Sequence, residues 1–314
     1  RADTFVSARD LSELTSVDPA EFFNLPGNRL VVNTYDRLVM FEPDDMKKLV
    51  GGIAKSWTIT NGGKRITFKL RPGLTFHSGN PVTAHDVVYS FTRVIVLDKS
   101  PAFLFTQFGW NKDNMDKAVI AVNDLTVQVN LFSNLAGSLA INAFTPGVGS
   151  IVDSKLVKSH AKGGDMGNGW LRLNEAGSGP YIMKLWKDRE LLSLERFDKD
   201  RHGPANLKRI IIRHVPEASV QRLLLEKGDI DAAMELTADQ FRPLMGRKDI
   251  KLLEWRSAEQ IYLGINMFDP IMKNRNMREA MKHVIDHETL LKTLLKDSWI
   301  AHQTFWPAGL WASY

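Results

Sequence analysis

The sequence contains no cysteine, which excludes disulfide frameworks, thiolate metal sites and cysteine nucleophiles. It also lacks any apolar run close to the roughly 20 residues of a membrane-spanning helix. Basic residues form no block, since 41 Lys and Arg against 36 Asp and Glu leave a net charge of +5 that is scattered along the chain. This pattern disfavours a nucleic-acid surface, so we expect no nucleic-acid partner.

The rest of the composition is that of an ordinary folded protein. The 314 residues suffice for about two domains of roughly 150 residues each. Apolar residues make up 44% and charged residues 25%, which is typical of a globular chain. The first residues, Arg1 to Phe5, contain no apolar signal-peptide core, and such a start is compatible with a leader that has been cleaved.

The segment 49–93 combines the clearest local signals in the chain. Residues 56–60 are β-prone, and residues 66–70 alternate apolar and polar side chains as a half-buried strand does. Asn61-Gly62-Gly63 between them supplies the positive φ of a tight turn. The segment therefore predicts a β-hairpin.

A helix is predicted directly after this hairpin. Thr83 and Asp86 have the spacing of a capping box, in which each side chain satisfies a backbone N–H at the helix start. Val87, Val88 and Phe91 supply the apolar face of the helix.

The hairpin and helix together resemble the signature of the family 5 extracellular solute-binding proteins, the peptide/nickel class of ABC-transporter receptors. That signature joins a Ser-Trp strand, a turn, a Thr-Phe strand that ends in Phe-His-x-Gly, and a helix that starts at Thr-Ala-x-Asp. The matching residues are, in order, Ala54, Ser56, Trp57, Thr67, Phe68, Leu70, Arg71, Gly73, Phe76, His77, Gly79, Thr83, Ala84, Asp86, Val87, Ser90 and Arg93.

The resemblance extends along most of the chain. His287 stands where the family usually has arginine, which weakens the match only at that position. The further matching positions are Leu14–Pro19, Tyr35, Leu38, Val39, Gly177–Tyr181, Gly228–Asp231, Tyr262–Asn266, Arg278, Ala280 and Asp286.

The resemblance implies an α/β fold, the bilobal periplasmic binding-protein fold (type II, cluster C-like) with mixed sheets and an inserted subdomain. We expect the first lobe in residues 1–28 and 168–256, the inserted subdomain in 29–167, and the start of the second lobe in 257–314. Family members continue well beyond this length, so we expect an incomplete second lobe.

The implied function is that of the solute-binding component of an ABC importer. We expect a periplasmic, monomeric protein without cofactor or enzymatic activity, which binds di- or oligopeptides between two lobes and delivers them to a membrane permease. Residues 164–171 and 213–217 resemble the dipeptide-binding branch of the family.

The resemblance also points to residues near the ligand cleft. For each of them, packing in the core or under a loop is an equally good interpretation. The candidate ligand-binding residues are Phe22, Phe23, Asn24, Leu25, Tyr89, Gly177, Ser178, Gly179, Met234, Glu235 and Leu236.

Other ligands and one other class of function stay open. A nickel chelate, haem, glutathione, an opine or an oligosaccharide could replace the peptide, and a secreted hydrolase is the alternative outside the binding class. A hydrolase needs an ordered nucleophile and base, which spacing alone does not identify. His283 and His287 are four residues apart, but a zinc site also needs a third ligand, so we expect no metal.

Weaker patterns give predictions for other segments. We expect strands near 4–9, 125–131, 192–196 and 206–213, a helix and turn in 30–41, and a linker or surface loop in 163–169. The aromatic residues of 103–110 predict a satellite core under a long loop. Val220, Leu223 and Leu224 share one helical face that ends at Gly228, and Asn276 to Glu279 form a second candidate capping box.

Overall fold

The computed structural model describes residues 3–43, 45–253, 260–296, 298–302 and 304. The chain forms two compact units, Arg1–Glu235 and Leu236–Tyr314, which we call unit 1 and unit 2. The expected division into lobes and an inserted subdomain, with boundaries after residues 28, 167 and 256, stays a prediction.

Unit 1 is built from three sheets and the helices around them. Its strands are β1 (Thr4–Arg9), β2 (Val39–Glu42), β3 (Asp45–Gly51), β4 (Ala54–Thr60), β5 (Arg65–Leu70), β6 (Val119–Asn123), β7 (Thr126–Asn130), β8 (Tyr181–Lys187), β9 (Leu191–Arg196), β10 (Arg209–His214) and β11 (Ala232–Ala233). Its helices are α1 (Leu25–Thr34), α2 (Ala84–Leu97), α3 (Phe103–Thr106), α4 (Met115–Ala118), α5 (Gly137–Ala140), α6 (Ser154–His160), α7 (Asn168–Leu171) and α8 (Ala218–Glu226).

A five-stranded sheet has the strand order β11-β1-β10-β9-β8. β1 runs parallel to β10 and β11, whereas β9 runs antiparallel to β10 and β8. The sheet is therefore mixed, and the predicted α/β class with mixed sheets is confirmed. The strands predicted near 4–9, 192–196 and 206–213 are β1, β9 and β10.

The two faces of this sheet are covered by different apolar clusters. On one face Ile210 and Ile212 of β10 pack in a cluster with Leu30 of α1. On the other face Val6 and Ala8 of β1 pack in a cluster that includes Leu224 and Leu225 of α8. Alternating side chains of a strand point to opposite faces, so each strand serves both clusters.

The predicted apolar face of α8 consists of Val220, Leu223 and Leu224, and of these only Leu224 packs in the cluster with Val6 and Ala8. Val220 and Leu223 are exposed, and Gln221 is the buried side chain of the helix. Gly228, with a φ of 72°, follows the helix as its spacing predicted.

The predicted hairpin is β4 and β5, which belong to an antiparallel four-stranded sheet of order β4-β5-β7-β6. Asn61 and Gly62 in its turn have φ values of 53° and 60°, as a tight turn requires. α2 packs on this sheet, and Phe68 of β5 and Phe91 of α2 lie in the largest apolar cluster of unit 1.

The prediction of a satellite aromatic core is wrong. Phe105, Phe108 and Trp110 lie in the same large cluster as Phe91 and Phe144. The rings of Phe91 and Phe144 are stacked with centroids 5.3 Å apart, and Phe105 meets Phe91 edge to face at 5.0 Å. Short helical turns fold these aromatics back over the sheet, so they extend its core rather than form a separate one.

The capping box at the start of α2 is confirmed, and it does more than cap one helix. Oδ2 of Asp86 accepts the Thr83 N–H at 2.8 Å and the Thr83 hydroxyl at 2.7 Å. Oδ1 of the same carboxylate accepts the N–H and the hydroxyl of Ser154 at 3.0 and 2.6 Å. One carboxylate therefore joins the first turns of α2 and α6.

The predicted helix and turn in residues 30–41 needs correction. α1 starts at Leu25, because Asn24 caps it and Pro26 lies in its first turn, where proline needs no N–H partner. Residues 39–42 then form β2 instead of a turn.

Unit 2 contains α9 (Ala238–Phe241), α10 (Arg275–Val284) and α11 (His287–Lys292) among its described residues. The second capping box is wrong, because Asn274 caps α10 by accepting the Asn276 N–H at 2.9 Å. Residues 262–266, which resemble a family strand, belong to no strand of the described chain. Two apolar side chains of α10, Met277 and Val284, are exposed.

Candidate functional site

β1, β10 and β11 run in the same direction, so their carboxyl ends meet at one edge of the five-stranded sheet. Ligands of open α/β sheets bind outside this edge. We call it the carboxyl edge and define it by Arg9, Asp10, His214, Met234 and Glu235. Arg9 pairs with His214, and the pairing of Ala8 with Ala233 brings Met234 beside Arg9.

Arg9, the last residue of β1, is buried with 7% of its surface exposed. Since Val6 and Ala8 face α8, the alternation along the strand places Arg9 on the face that carries α1. Its Nε has no hydrogen-bond partner among the described residues. Burial lowers the pKa of the Arg9 guanidinium, the charge of Arg29 lowers it further, and Glu235 opposes both effects.

Glu235 ties the segment after β11 to the segment after β1. Its Oε2 accepts the backbone N–H of Asp10 at 2.7 Å, and its Oε1 lies 3.6 Å from Nη1 of Arg29 on α1. The backbone N–H of Glu235 donates to Gln221 of α8 at 3.3 Å. The carboxyl edge therefore presents an anion that is already held in place beside the buried cation.

His214 completes the row of side chains at the edge. Its Nδ1 accepts the Leu11 N–H at 3.0 Å and lies 3.6 Å from Oδ1 of Asp10. A ring nitrogen that accepts a hydrogen bond carries no proton, so the proton of the neutral ring lies on Nε2. The contact with Asp10 is then a close approach rather than an ion pair.

The two predicted phenylalanines have different environments. Phe22 is buried in a cluster with Tyr89, Val31 and Tyr35. Phe23 is 51% exposed and meets Phe103 edge to face, with ring centroids 5.2 Å apart. Of these two, Phe23 is the one whose ring is accessible.

Asn24 and Leu25 stand at the start of α1. Oδ1 of Asn24 accepts the Gly27 N–H at 2.9 Å, and its Nδ2 donates to the carbonyl of Glu13 at 2.9 Å. Asn24 thus caps α1 and holds it to the loop that follows β1. Leu25 is exposed.

Tyr89 lies in α2, outside the carboxyl edge. Its ring is buried with Phe22, and Nζ of Lys158 lies 4.8 Å from the ring centroid. Its hydroxyl donates to the carbonyl of Met166 at 3.1 Å. These contacts occupy the ring and the hydroxyl within the protein.

Gly177, Ser178 and Gly179 form a turn pressed against the end of α1. A Cβ on Gly177 would lie 2.0 Å from the Thr34 carbonyl oxygen, which itself accepts the Gly179 N–H at 3.0 Å. The Ser178 hydroxyl donates to the buried carboxylate of Asp36 at 3.0 Å. Glycine is therefore required here by close backbone approach.

Within unit 1 the structure brings Met234 and Glu235 to the carboxyl edge, while Phe22, Tyr89 and the 177–179 turn converge around Tyr35. Leu236 opens unit 2. No sequence pattern described above points to Arg9, Arg29 or His214 as site residues. The available signal was Arg9 at the end of the β-prone segment TFVSAR. Charged side chains are rarely buried unless they are paired, so an arginine in a half-buried strand indicates a partner.

The His283 and His287 pair lies on two helices, since α10 ends at Val284 and His287 opens α11. Among the described residues, no three His, Asp or Glu side chains are grouped so that they could hold a metal ion. None of the helices described is both long and apolar enough to span a membrane.

Comparison with known proteins gives a family and a fold. The family model described as bacterial extracellular solute-binding proteins, family 5 Middle, matches residues 48–314. A probable D,D-dipeptide-binding periplasmic protein, DdpA of Escherichia coli K12, is 28% identical over 299 residues, which are 94% of this chain and 56% of that protein. The chain thus spans little more than half the length of that relative.

Solved structures share the fold. The periplasmic binding protein DppA of Helicobacter pylori, in complex with the peptide STSA, matches with a TM-score of 0.82 at 23% identity, over 98% of this chain and 61% of its own. NikZ of Campylobacter jejuni, in complex with Ni(L-His), matches with a TM-score of 0.78 at 22% identity, over 96% and 57%.

Proposed function

The chain belongs to the family 5 bacterial extracellular solute-binding proteins, and we propose that it binds di- or oligopeptides for an ABC importer. In this proposal the ligand is captured in the periplasm, two lobes close around it, and the closed form docks on a membrane permease. The protein binds its ligand without changing it chemically.

The observation that carries the proposal is the pair of opposite charges at the carboxyl edge. A peptide with free ends has one cationic and one anionic terminus. Arg9 offers a buried cation with an unused donor, and Glu235 offers a carboxylate held by the Asp10 N–H. A zwitterionic ligand is complementary to such an edge.

The relatives support a peptide on independent grounds. One is named for binding a D,D-dipeptide and another is described in complex with a tetrapeptide. The complex of NikZ with Ni(L-His) makes a metal chelate of an amino acid the second candidate.

Isothermal titration calorimetry of the protein with Ser-Thr-Ser-Ala, D-Ala-D-Ala and Ni(L-His) tests the proposal. We expect saturable heat from at least one peptide and none from Ni(L-His), with the peptide recovered intact by mass spectrometry. Heat from Ni(L-His) alone would favour the chelate. A cleaved peptide would instead require a hydrolase.

A further inference from the structure

We infer that Arg9 binds the carboxylate of the ligand, which in a peptide is its C-terminal group. The inference rests on the proposed function and adds to it the orientation of the ligand and the residue that recognises its anionic end. It starts from the unusual state of Arg9, which is buried at the carboxyl edge without a partner for Nε.

Two other arginines of unit 1 with buried side chains, Arg93 and Arg201, contact a carboxylate. Arg93 places Nη1 and Nη2 at 2.7 and 2.8 Å from the two oxygens of Asp18. Nε of Arg201 lies 3.1 Å from Asp36. A buried guanidinium without such a partner is strongly disfavoured, so its retention indicates a partner that arrives from outside the chain.

The chemistry of the missing partner follows from the guanidinium. Its planar donors match the two oxygens of a carboxylate, and Nε with one Nη forms the usual bidentate contact. Glu235 does not fill this role, because Nε of Arg9 has no hydrogen-bond partner among the described residues. The oxygens of Glu235 contact the Asp10 N–H and Arg29. Arg29 adds a second positive charge on the same face, which favours an anion further.

Arg37 provides a matched comparison inside the same unit. It is also buried, and its Nε likewise has no hydrogen-bond partner among the described residues. It lies between α1 and β2 instead of at the carboxyl edge, and the charge of the neighbouring Asp36 supports its cationic form. Arg37→Met therefore controls for the loss of a buried arginine away from the edge.

The test compares peptides that differ only in the C-terminal charge. Calorimetry of the wild-type protein with Ser-Thr-Ser-Ala, D-Ala-D-Ala and the C-terminal amide of each should give binding of the amides about 30-fold or more weaker than of the acids. In Arg9→Met the acid should bind about as weakly as the amide, and in Arg9→Lys the difference should be intermediate. Arg37→Met should keep the wild-type difference.

The outcomes separate this inference from the proposed function. If acid and amide bind the wild-type protein equally, or if Arg9→Met weakens both to the same extent, the inference is wrong and peptide binding stands. If neither peptide binds in either form, the proposed function fails, and the inference fails with it.

A second measurement on the same variants excludes a merely structural role. Arg9→Met removes a buried charge whose Nε has no hydrogen-bond partner and keeps an unbranched apolar side chain, so the melting temperature of the ligand-free protein should stay the same or rise. A variant that lost acid affinity together with several degrees of melting temperature would assign Arg9 to the fold instead.

Discussion

At the scale of single residues, unit 1 buries its charges in two distinct ways. Asp18 and Arg93, which are 0% and 1% exposed, face each other with two short hydrogen bonds. Arg9 is buried with its Nε unpaired, at the edge where the sheet is expected to meet a ligand. The Asp18–Arg93 pair stabilises the fold, whereas Arg9 keeps an unpaired donor at the carboxyl edge.

The pair of Asp18 and Arg93 predicts a large loss of stability in Asp18→Asn. Removing one member leaves the other charge buried and uncompensated, so the free energy of unfolding should fall by about 3–5 kcal/mol. Urea denaturation followed by tryptophan fluorescence measures this change.

The matched control is Glu190→Gln, which removes one member of the Lys187–Glu190 pair at 3.1 Å, where both side chains are more than half exposed. Its urea midpoint should equal that of the wild type within error, because solvent screens exposed pairs. Equal effects of the two variants would show that burial does not determine how much the Asp18–Arg93 pair contributes to the free energy of unfolding.

The roles of individual residues were the hardest feature to predict from the sequence. Met234 and Glu235 were named because they follow the family-like element Gly228–Asp231; they lie next to Arg9 in the sheet, and a role in ligand binding stays a prediction. Arg9 and His214 belong to strands that lie about two hundred residues apart in sequence, and their meeting depends on parallel pairing that no local pattern encodes. Phe22 and Tyr89 were named as candidate ligand-binding residues through the family resemblance; they are buried together in one apolar cluster, and a role in ligand binding stays a prediction.

At the scale of elements, local spacing predicted starts and turns well where one short motif decided the geometry. The capping box of α2 and the hairpin of β4 and β5 are examples. The glycine-rich segment 163–169 was predicted as a linker or loop; residues 163–167 form a loop, and residues 168 and 169 are the first two residues of α7. Oδ1 of Asp165 accepts the N–H groups of Lys162 and Gly167 at 2.8 and 2.9 Å, and its Oδ2 accepts that of Gly169 at 3.1 Å.

This loop makes stability depend on pH. Backbone hydrogen bonds, first of all from Lys162, lower the pKa of Asp165 below its ordinary value of 3.8. A lowered folded-state pKa means that the carboxylate stabilises the fold above pH 3.8 and loses this contribution as the pH falls through the folded value. The stability difference between wild type and Asp165→Asn should therefore stay constant from about pH 7 to about pH 5 and shrink as the pH falls further to about pH 2.

Urea midpoints of both proteins across this range measure the difference, with Asp188→Asn in the exposed turn between β8 and β9 as the control. The Asp188 variant should follow the wild type at every pH. A constant gap between wild type and Asp165→Asn would show that the loop is held by contacts other than its carboxylate.

At the scale of the whole molecule, the buried apolar residues are concentrated in unit 1. The four apolar clusters lie within its residues, and among the described residues of unit 2 Leu244 is the one buried apolar side chain. The helix α10 has no buried residue, whereas α2 buries nine, including Phe91 and Arg93. The two units therefore differ in local stability.

Hydrogen exchange of the intact chain should report this difference. Amides of α10 open without loss of buried apolar contacts, so they should exchange at least about tenfold faster than those of α2. Mass spectrometry of peptic peptides resolves both helices. Equal protection of the two would show that α10 is as stable as α2 although it has no buried residue.

The parallel pairing of β1 with β10 and β11 has a consequence for the order of folding. β4 to β7 lie within a short stretch of sequence, so their antiparallel sheet closes small loops and forms early. β1 is synthesised before β10, which lies about two hundred residues further along the chain, a delay of roughly 10–40 s at ordinary synthesis rates. During that interval the edges of β1 are unpaired and its apolar side chains are uncovered, so β1 is exposed to pairing with other chains until β10 has been synthesised.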